Sequence, residues 1–197
     1  MGQVPPSGRE IAVHLQPIDS TVIHLNKVSD NLSAEMFLKT IDAVSHNVPG
    51  STEGGLFLVN QFLNTLGIDT MRYRISDGSG LSYYNLITAE MIVQLLDGMQ
   101  HQLDIFPLYY ESLPIAGVDG TIRNRMKKTL AEGNLRAKTG TLSGVSSLSG
   151  YVQSLDGERL IFSMSMQNFI YPARYYQRAQ DKIGAILAGF SRYSLRP

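Results

Sequence analysis

The sequence predicts an α+β protein in which helices cover an antiparallel sheet. The first half of the chain carries apolar side chains mainly at helical spacing. Three extended runs follow at about 135–140, 145–154 and 159–168, and Asp156-Gly157 between the last two is a strong signal for a two-residue hairpin. A long helix over Ala173–Phe190 ends the pattern. This order of elements predicts one sheet with helices packed against it.

The N-terminal residues predict a short strand and a short helix after an unstructured lead-in at residues 1–8. Apolar and polar residues alternate from Ile11 to Leu15, which predicts the strand. Asp19-Ser20 offers an N-cap for the helix. The small polar residues of Ser29-Asp30-Asn31 end it.

Two longer helices are predicted next. The first covers Leu32–Val44, and the second begins at Ser51 and ends at Gly67, which is a natural C-cap. Each helix has a stripe of large apolar side chains that we expect to face inward. These are Leu32, Met36, Phe37, Ile41 and Val44 on the first helix, and Leu56, Val59, Phe62, Leu63 and Leu66 on the second.

The middle of the chain predicts short elements joined by turns. An extended segment at 71–76 leads into a glycine-rich turn at Asp77–Ser82, and Thr88 starts the next helix. A short helix is predicted at Pro107–Leu113, and a basic helix at Thr121–Leu130. The buried side of the last helix of the chain is expected to carry Tyr176, Ala179, Ile183, Ile186 and Leu187.

Composition excludes several classes of function. The net charge is zero, so nothing indicates nucleic acid or a membrane surface as a partner. The chain has no cysteine, which excludes disulfides and a thiol nucleophile. Its four histidines lack metal-ligand spacing, so we expect no metal site. Residues 1–8 have no apolar core segment of a signal peptide.

The stretch Arg136–Gly144 holds the densest group of candidate binding residues. Lys138 supplies a charge, Thr139 and Thr141 supply hydroxyl donors, and Gly140 permits close approach of a ligand backbone. Such a strand could bind an anion. A strand-end turn with an ordinary surface lysine is the alternative interpretation of the same residues.

A second motif indicates a specific function for the first. Penicillin-binding proteins and serine β-lactamases share a signature of three motifs, of which Ser-x-x-Lys holds the nucleophile. The other two occur here as Ser29-Asp30-Asn31 and Lys138-Thr139-Gly140. In that chemistry a serine attacks an amide, a second serine relays a proton to the leaving nitrogen, and the strand lysine keeps the site positive.

Four linked blocks of sequence make the likeness specific, and they occur in the same order as in a known family. The blocks are Lys27–Glu35, Asp77–Ser82, Leu113–Thr121 and Ala137–Thr141. Together they resemble the D-alanyl-D-alanine carboxypeptidase/endopeptidase family of the penicillin-binding-protein-4 type. The likeness covers about residues 9–190.

The resemblance implies a fold, a substrate and a set of roles. It implies the β-lactamase/penicillin-binding transpeptidase-like fold, and D-Ala-D-Ala or a D-amino-acid cross-link of peptidoglycan peptides as substrate. It assigns Ser29 as proton relay, Asn31 as substrate-amide binder and Lys138 as electrostatic anchor. Thr139 and Thr141 would contact the carboxylate and the oxyanion side, beside Gly140. The turn at 77–82 would border the active site, and the compartment would be periplasmic or otherwise extracytoplasmic. The resemblance implies no metal and no organic cofactor.

The sequence departs from the family pattern at the nucleophile. None of its lysines has a serine three residues before it, so no Ser-x-x-Lys is present. We therefore expect residues 9–197 to be the C-terminal part of a longer D,D-peptidase domain, incomplete at the N-terminus. Without the central helix of the fold, the helices at 32–46 and 51–67 should expose apolar surface. The chain alone should be marginally stable and should form no acyl-enzyme with β-lactams.

Three functions are compatible with these motifs. The first is a serine D,D-peptidase of cell-wall metabolism. The second is a truncated, non-catalytic relative that binds peptidoglycan peptides or a protein partner. The third, a class A β-lactamase, needs a Glu-x-x-x-Asn loop for deacylation, and the segment between Asn31 and Lys138 has none.

Overall fold

The structure is a computed structural model that describes residues 16–46 and 48–193. The expected lead-in at 1–8 and the expected strand at Ile11–Leu15 lie outside the described residues. Three helices come first: α1 (Ile18–Val28), α2 (Asn31–His46) and α3 (Thr52–Thr65).

The remaining elements follow the predicted order. Two more helices, α4 (Ala89–Gln100) and α5 (Phe106–Ser112), precede the strands β1 (Arg136–Leu142), β2 (Val145–Gln153) and β3 (Arg159–Gln167). The last helix is α6 (Ala173–Ala188), and short 3-10 turns occupy Thr70–Arg72 and Gly120–Ile122. The α+β prediction is confirmed. No helix in the described part of the chain is long and apolar enough to cross a membrane.

The three strands form one antiparallel sheet in the order β1-β2-β3, which leaves β1 at an edge. The segment before β1 covers only the start of that edge. Ile115 bridges Arg136, and the Ala137 N–H donates to the Pro114 carbonyl at 2.9 Å. The described segment at 114–116 thus pairs with β1 as far as Ala137, immediately before Lys138.

Helices cover both faces of the sheet. On one face, Leu148 and Val152 of β2 join Leu135, Ala137, Ile122 and Ala188 in the largest buried apolar cluster. On the other face, Tyr151 packs with Leu96, Phe106 and Leu113, and its hydroxyl donates to the Leu96 carbonyl at 2.7 Å. The alternation of Leu148 and Val152 with Tyr151 follows from the two-residue period of a strand.

Several helix starts and ends match the sequence signals. Ser51 caps α3, since its hydroxyl accepts from the Gly54 N–H at 2.9 Å, and Thr88 caps α4 in the same way. Gly67 has φ of 77° just beyond α3, as a C-terminal glycine should. The first helix differs, because it begins at Ile18 after Pro17, and the hydroxyls of Ser20 and Thr21 bond back to the Pro17 carbonyl.

The predicted basic helix at Thr121–Leu130 is wrong. After the 3-10 turn at Gly120–Ile122 the chain runs through successive turns. Met126 and Lys128 adopt φ of 58° and 60°, which an α-helix cannot accommodate. Burial of Met126 in the core and a hydrogen bond from the Lys128 N–H to Glu132 favour this path over a helix.

The predicted buried faces of two helices are only partly right. On α6 the buried residues are Gln180, Gly184 and Ala188, and Leu187 packs against the core as predicted. Ile183 and Ile186, by contrast, are 40% and 70% exposed. The helix turns Gln180 inward because its amide donates to both Ser146 oxygens, and Gly184 leaves room for Leu135 and Met126.

On α2 only Leu38 and Asp42 are buried, and four of the five predicted core residues are exposed, with Leu32 71% and Val44 78% exposed. On α3, Leu63 is buried as predicted but Phe62 is exposed. The expectation that these two helices expose apolar surface is therefore confirmed for the described residues.

Two smaller predictions need adjustment. The turn between β2 and β3 contains Asp156-Gly157 but is three residues long, closed by the Ser154 N–H to the Glu158 carbonyl, with Gly157 at φ of 78°. The extended segment at 71–76 makes one isolated bridge, Arg74 to Leu86, and no strand.

Candidate active site

Ser29-Asp30-Asn31 joins two helices. Ser29 ends α1 in the left-handed conformation at φ of 60°, and Asn31 is the first residue of α2. Asp30 accepts hydrogen bonds from the Leu32 N–H at 3.1 Å and from the Ser33 hydroxyl at 2.5 Å. The Ser33 hydroxyl in particular holds the pKa of Asp30 below its ordinary value. Asp30 therefore fixes the junction between α1 and α2, while Ser29 and Asn31 line a large cleft.

Lys138 on β1 brings the two distant motifs together. Its ammonium lies 2.5 Å from the Ser29 hydroxyl oxygen and 3.1 Å from the Thr139 carbonyl oxygen. Burial of the side chain lowers the pKa of Lys138, because the charged form loses hydration. The ammonium therefore donates a hydrogen bond to Ser29 and places a positive charge beside its hydroxyl.

All six predicted site residues line one cleft of about 970 Å³. They are Ser29, Asn31, Lys138, Thr139, Gly140 and Thr141. The predicted border at 77–82 is present too, since Ser79, Gly80, Leu81 and Ser82 line the same cleft. The sheet itself also requires a glycine at position 140, because a Cβ there would lie 2.5 Å from the Ser147 hydroxyl oxygen on β2. A glycine at 140 thus also makes room for its neighbour in the sheet.

The glycine-rich turn is held by two carboxylates. Asp77 accepts from the N–H groups of Gly80 and Ser82 and from the Asn85 amide. Burial alone would raise the pKa of Asp77, but these hydrogen bonds outweigh it and lower the pKa. Glu35 of α2 accepts from the Gly78 and Ser79 N–H groups, which fixes the turn against the helix.

Sequence reasoning missed the residues that brace the site from the loop before β1. Lys27, two residues before Ser29, donates to the Leu113 carbonyl and to Asp119, both at 2.7 Å. Thr121 receives a hydrogen bond from the Thr139 hydroxyl at 2.9 Å and lines the cleft. Both Lys27 and Thr121 lie within the four sequence blocks that resemble the family. The sequence marked these two residues but did not show which residues they contact.

The electrostatics of the cleft are one-sided. Lys138 and Arg125 are the charged residues among its described lining, and no carboxylate is included. Arg125 is fixed by Asp181 at 2.8 Å and by the Gln180 side-chain oxygen at 3.1 Å. The described residues contain no cluster of three or more His, Asp or Glu side chains that could hold a metal ion. The lining of the cleft is therefore suited to an anionic ligand.

Comparison with known proteins agrees with this geometry. Residues 1–188 match the family model for the D-Ala-D-Ala carboxypeptidase 3 (S13) family. The chain is 40% identical over 179 residues to a D-alanyl-D-alanine carboxypeptidase of Actinomadura sp. (strain R39), covering 88% of this chain and 32% of that protein. It is 34% identical to D-alanyl-D-alanine carboxypeptidase DacB of Haemophilus influenzae, covering 81% of this chain and 34% of that protein. The chain thus spans about a third of the length of these relatives.

Solved structures show the same likeness in three dimensions. Penicillin-binding protein 4 (DacB) of Haemophilus influenzae, complexed with a β-lactam, superposes with a TM-score of 0.84 at 27% identity, covering 96% of this chain and 46% of that one. The TLA-1 β-lactamase superposes at 0.64 with 15% identity, which shows a shared fold only. The chain belongs to the D-Ala-D-Ala carboxypeptidase S13 family.

Proposed function

We propose that this chain is the C-terminal part of a serine-type D-Ala-D-Ala carboxypeptidase/endopeptidase, and that its cleft binds the D-Ala-D-Ala end of peptidoglycan peptides. The contact between the Lys138 ammonium and the Ser29 hydroxyl carries the proposal. It joins the two motifs across 109 positions of sequence, inside a cleft that Asn31, Thr139 and Thr141 also line. Membership of the family and the names of the relatives support it.

The substrate class follows from charge and hydrogen bonding. A peptide ending in D-Ala-D-Ala carries a terminal carboxylate, which suits a cleft whose described lining includes the Lys138 ammonium and no carboxylate. The peptide backbone needs donors and acceptors as well. Beyond Ala137 the pairing of the 114–116 segment with β1 ends, so the substrate backbone can lie along Lys138–Thr141.

Each site residue has a role in acyl transfer. A serine attacks the carbonyl carbon of the D-Ala-D-Ala amide, a lysine beside that serine takes its proton, and Ser29 relays the proton to the leaving nitrogen as the C–N bond breaks. Asn31 binds the substrate amide, Lys138 keeps the site positive, and Thr139 and Thr141 lie on the carboxylate and oxyanion side, with Gly140 between them. Release of D-Ala leaves an acyl ester that water hydrolyses.

This chemistry needs an attacking serine, which the family pattern places in a Ser-x-x-Lys motif. No Ser-x-x-Lys occurs among the 197 residues. We therefore assign this chain the binding and proton-relay half of the site, and expect binding without turnover from the chain by itself. For the complete protein we propose an extracytoplasmic location, peptidoglycan peptides as substrate and β-lactams as covalent inhibitors.

A non-catalytic binding role is the second candidate, and the missing Ser-x-x-Lys favours it. Under this alternative the cleft captures peptidoglycan peptides or a partner as its whole function. The two candidates share the cleft and differ only in whether an acyl-enzyme is ever formed.

The test of the proposed function is calorimetric titration of the chain with an acetylated peptide ending in D-Ala-D-Ala, and with its L-Ala-L-Ala counterpart. We expect binding of the D,D-peptide only, and loss of that binding in Lys138→Met. Equal affinity for both peptides would contradict the proposal. Labelled penicillin should leave no covalent adduct on the chain. An adduct that maps to Ser29 would show instead that the Ser29–Lys138 pair is itself nucleophilic.

A further inference from the structure

We propose that the Thr121 hydroxyl donates directly to the substrate carboxylate, as a further specificity-determining ligand in the cleft. The proposal rests on the proposed function and deepens it. Sequence motifs assign the carboxylate to Thr139 and Thr141. The hydrogen bond between Thr139 and Thr121 changes that assignment, because it decides which hydroxyl still has a proton to offer.

A hydroxyl has one proton and can donate it once. The Thr139 hydroxyl donates to the Thr121 oxygen at 2.9 Å, so its proton is already in use. The proton of the pair that remains available belongs to Thr121. Because both residues line the cleft, a carboxylate bound there meets a donor on Thr121 and only acceptor lone pairs on Thr139.

The hydrogen bond that Thr121 accepts also makes it a better donor. In a chain of hydrogen bonds each member polarises the next, so an O–H whose oxygen already accepts a bond donates more strongly. A carboxylate acceptor strengthens the interaction again, because a hydrogen bond to a charged group is stronger than one between neutral groups. The hydrogen bond from Thr139 thus strengthens the hydrogen bond that the Thr121 hydroxyl donates to the carboxylate.

The loop that carries Thr121 is fixed relative to Ser29. Gly120 has φ of 58°, and a Cβ there would lie 2.8 Å from the Lys27 carbonyl oxygen. Lys27 in turn bonds to Asp119, whose other oxygen accepts from the Ile115 N–H at 2.8 Å. On the other side of Thr121, Ile122 is fully buried in the core. These contacts set the position of the Thr121 hydroxyl before any ligand binds.

The experiment measures the affinity of the chain for an acetylated D-Ala-D-Ala peptide with a free carboxylate, and for the same peptide as a carboxamide. Thr121→Val keeps the shape of the side chain and removes the hydroxyl. We expect it to weaken carboxylate binding about tenfold or more, and carboxamide binding less than about twofold. Thr121→Ser should restore the carboxylate preference. Thr70→Val, at a threonine outside the cleft that donates to Asn64, should match wild type.

The outcomes separate this inference from the proposed function. If wild type binds neither peptide, the proposed function fails and the inference fails with it. If wild type prefers the carboxylate and Thr121→Val keeps that preference, only the inference is overturned. Equal loss of both peptides would show that Thr121 acts through structure alone, which also overturns it.

A measurement on wild type covers the case in which Thr121→Val does not fold. The Thr121 methyl resonance should shift on titration with the carboxylate peptide and not with the carboxamide. An unchanged resonance at saturating carboxylate peptide would overturn the inference.

Discussion

Lys27 should be one of the most important polar residues for the stability of the site. Its side chain is 16% exposed, and its ammonium joins α1 to the loop before β1 through the Leu113 carbonyl and Asp119. Lys27→Met keeps most of the aliphatic stem and removes both hydrogen bonds. We expect this substitution to loosen the loop against the helix that ends at Ser29.

The magnitude follows from the exposure of the two partners. Leu113 is only 1% exposed, so its carbonyl would lose a charged donor with little access to water, which costs about 1–3 kcal/mol. Asp119 is 38% exposed and keeps the Ile115 N–H as donor, so its loss should be under about 1 kcal/mol. The sum is a decrease of about 1–4 kcal/mol in the free energy of unfolding.

Urea unfolding followed by circular dichroism measures this change. At an m-value of about 2–3 kcal/mol/M, Lys27→Met should lower the midpoint by about 0.3–2 M. Asp119→Asn should cost about 1 kcal/mol or less, and a double-mutant cycle of the two should give a coupling under about 1 kcal/mol. Lys182→Met, at an exposed lysine on α6, is the matched control. A Lys27→Met midpoint within about 0.2 M of wild type would refute the reasoning.

The remaining predictions concern burial, pH and exposed surface. Burial lowers the pKa of Lys138, so the free energy of unfolding should rise as pH increases through the folded pKa toward the ordinary value of 10.5. Lys138→Met should remove this rise in urea titrations at pH 7–10 and be at least as stable as wild type at pH 7; a rise unchanged in the variant would count against it. Hydrogen bonds, foremost from the Ser51 N–H, lower the pKa of Asp42, so its contribution is present above the ordinary pKa of 3.8 and is lost as pH falls through the folded value. Asp42→Asn should therefore be less stable at pH 7 and lose less stability on acidification, and equal acid sensitivity of both proteins would disprove this. The exposed apolar side chains of α2, Leu32 and Val44 among them, should make the chain self-associate in light scattering, and Leu32→Gln with Val44→Gln should reduce association. A monomer with a sharp thermal transition would contradict that prediction.

Local signals in the sequence predicted those parts of the fold that local interactions decide. Ser51 and Thr88 cap helices because their hydroxyls bond within their own turn, and Gly157 suits the left-handed turn position that it occupies. Such contacts span a few residues, so a single sequence reveals them.

The errors came from contacts between distant residues. Gln180 is a polar residue that periodicity places outside the core, yet it is buried because Ser146 and Arg125 satisfy its amide. The stretch after Thr121 has residues that favour a helix, but Met126 is buried in the core with φ of 58°, which ends a helix. Both features depend on contacts with residues that are distant in the sequence, so no local pattern reveals them.

The candidate site shows the same division. The motifs around Ser29 and Lys138 were visible, and the resemblance to a family assigned their roles. Their contact, and the brace formed by Lys27 and Thr121, depend on packing between α1, the loop before β1 and the sheet edge. Spacing alone could not have placed Thr121 beside Thr139.

The most direct test of the central claim is a crystal structure of the chain with an acetylated D-Ala-D-Ala peptide bound. We predict electron density for the peptide along Lys138–Thr141, with the terminal carboxylate within hydrogen-bond distance of Thr121 and the Lys138 ammonium still in contact with the Ser29 hydroxyl. Peptide density outside this cleft, or a Lys138 side chain turned away from Ser29, would contradict the assignment of the site.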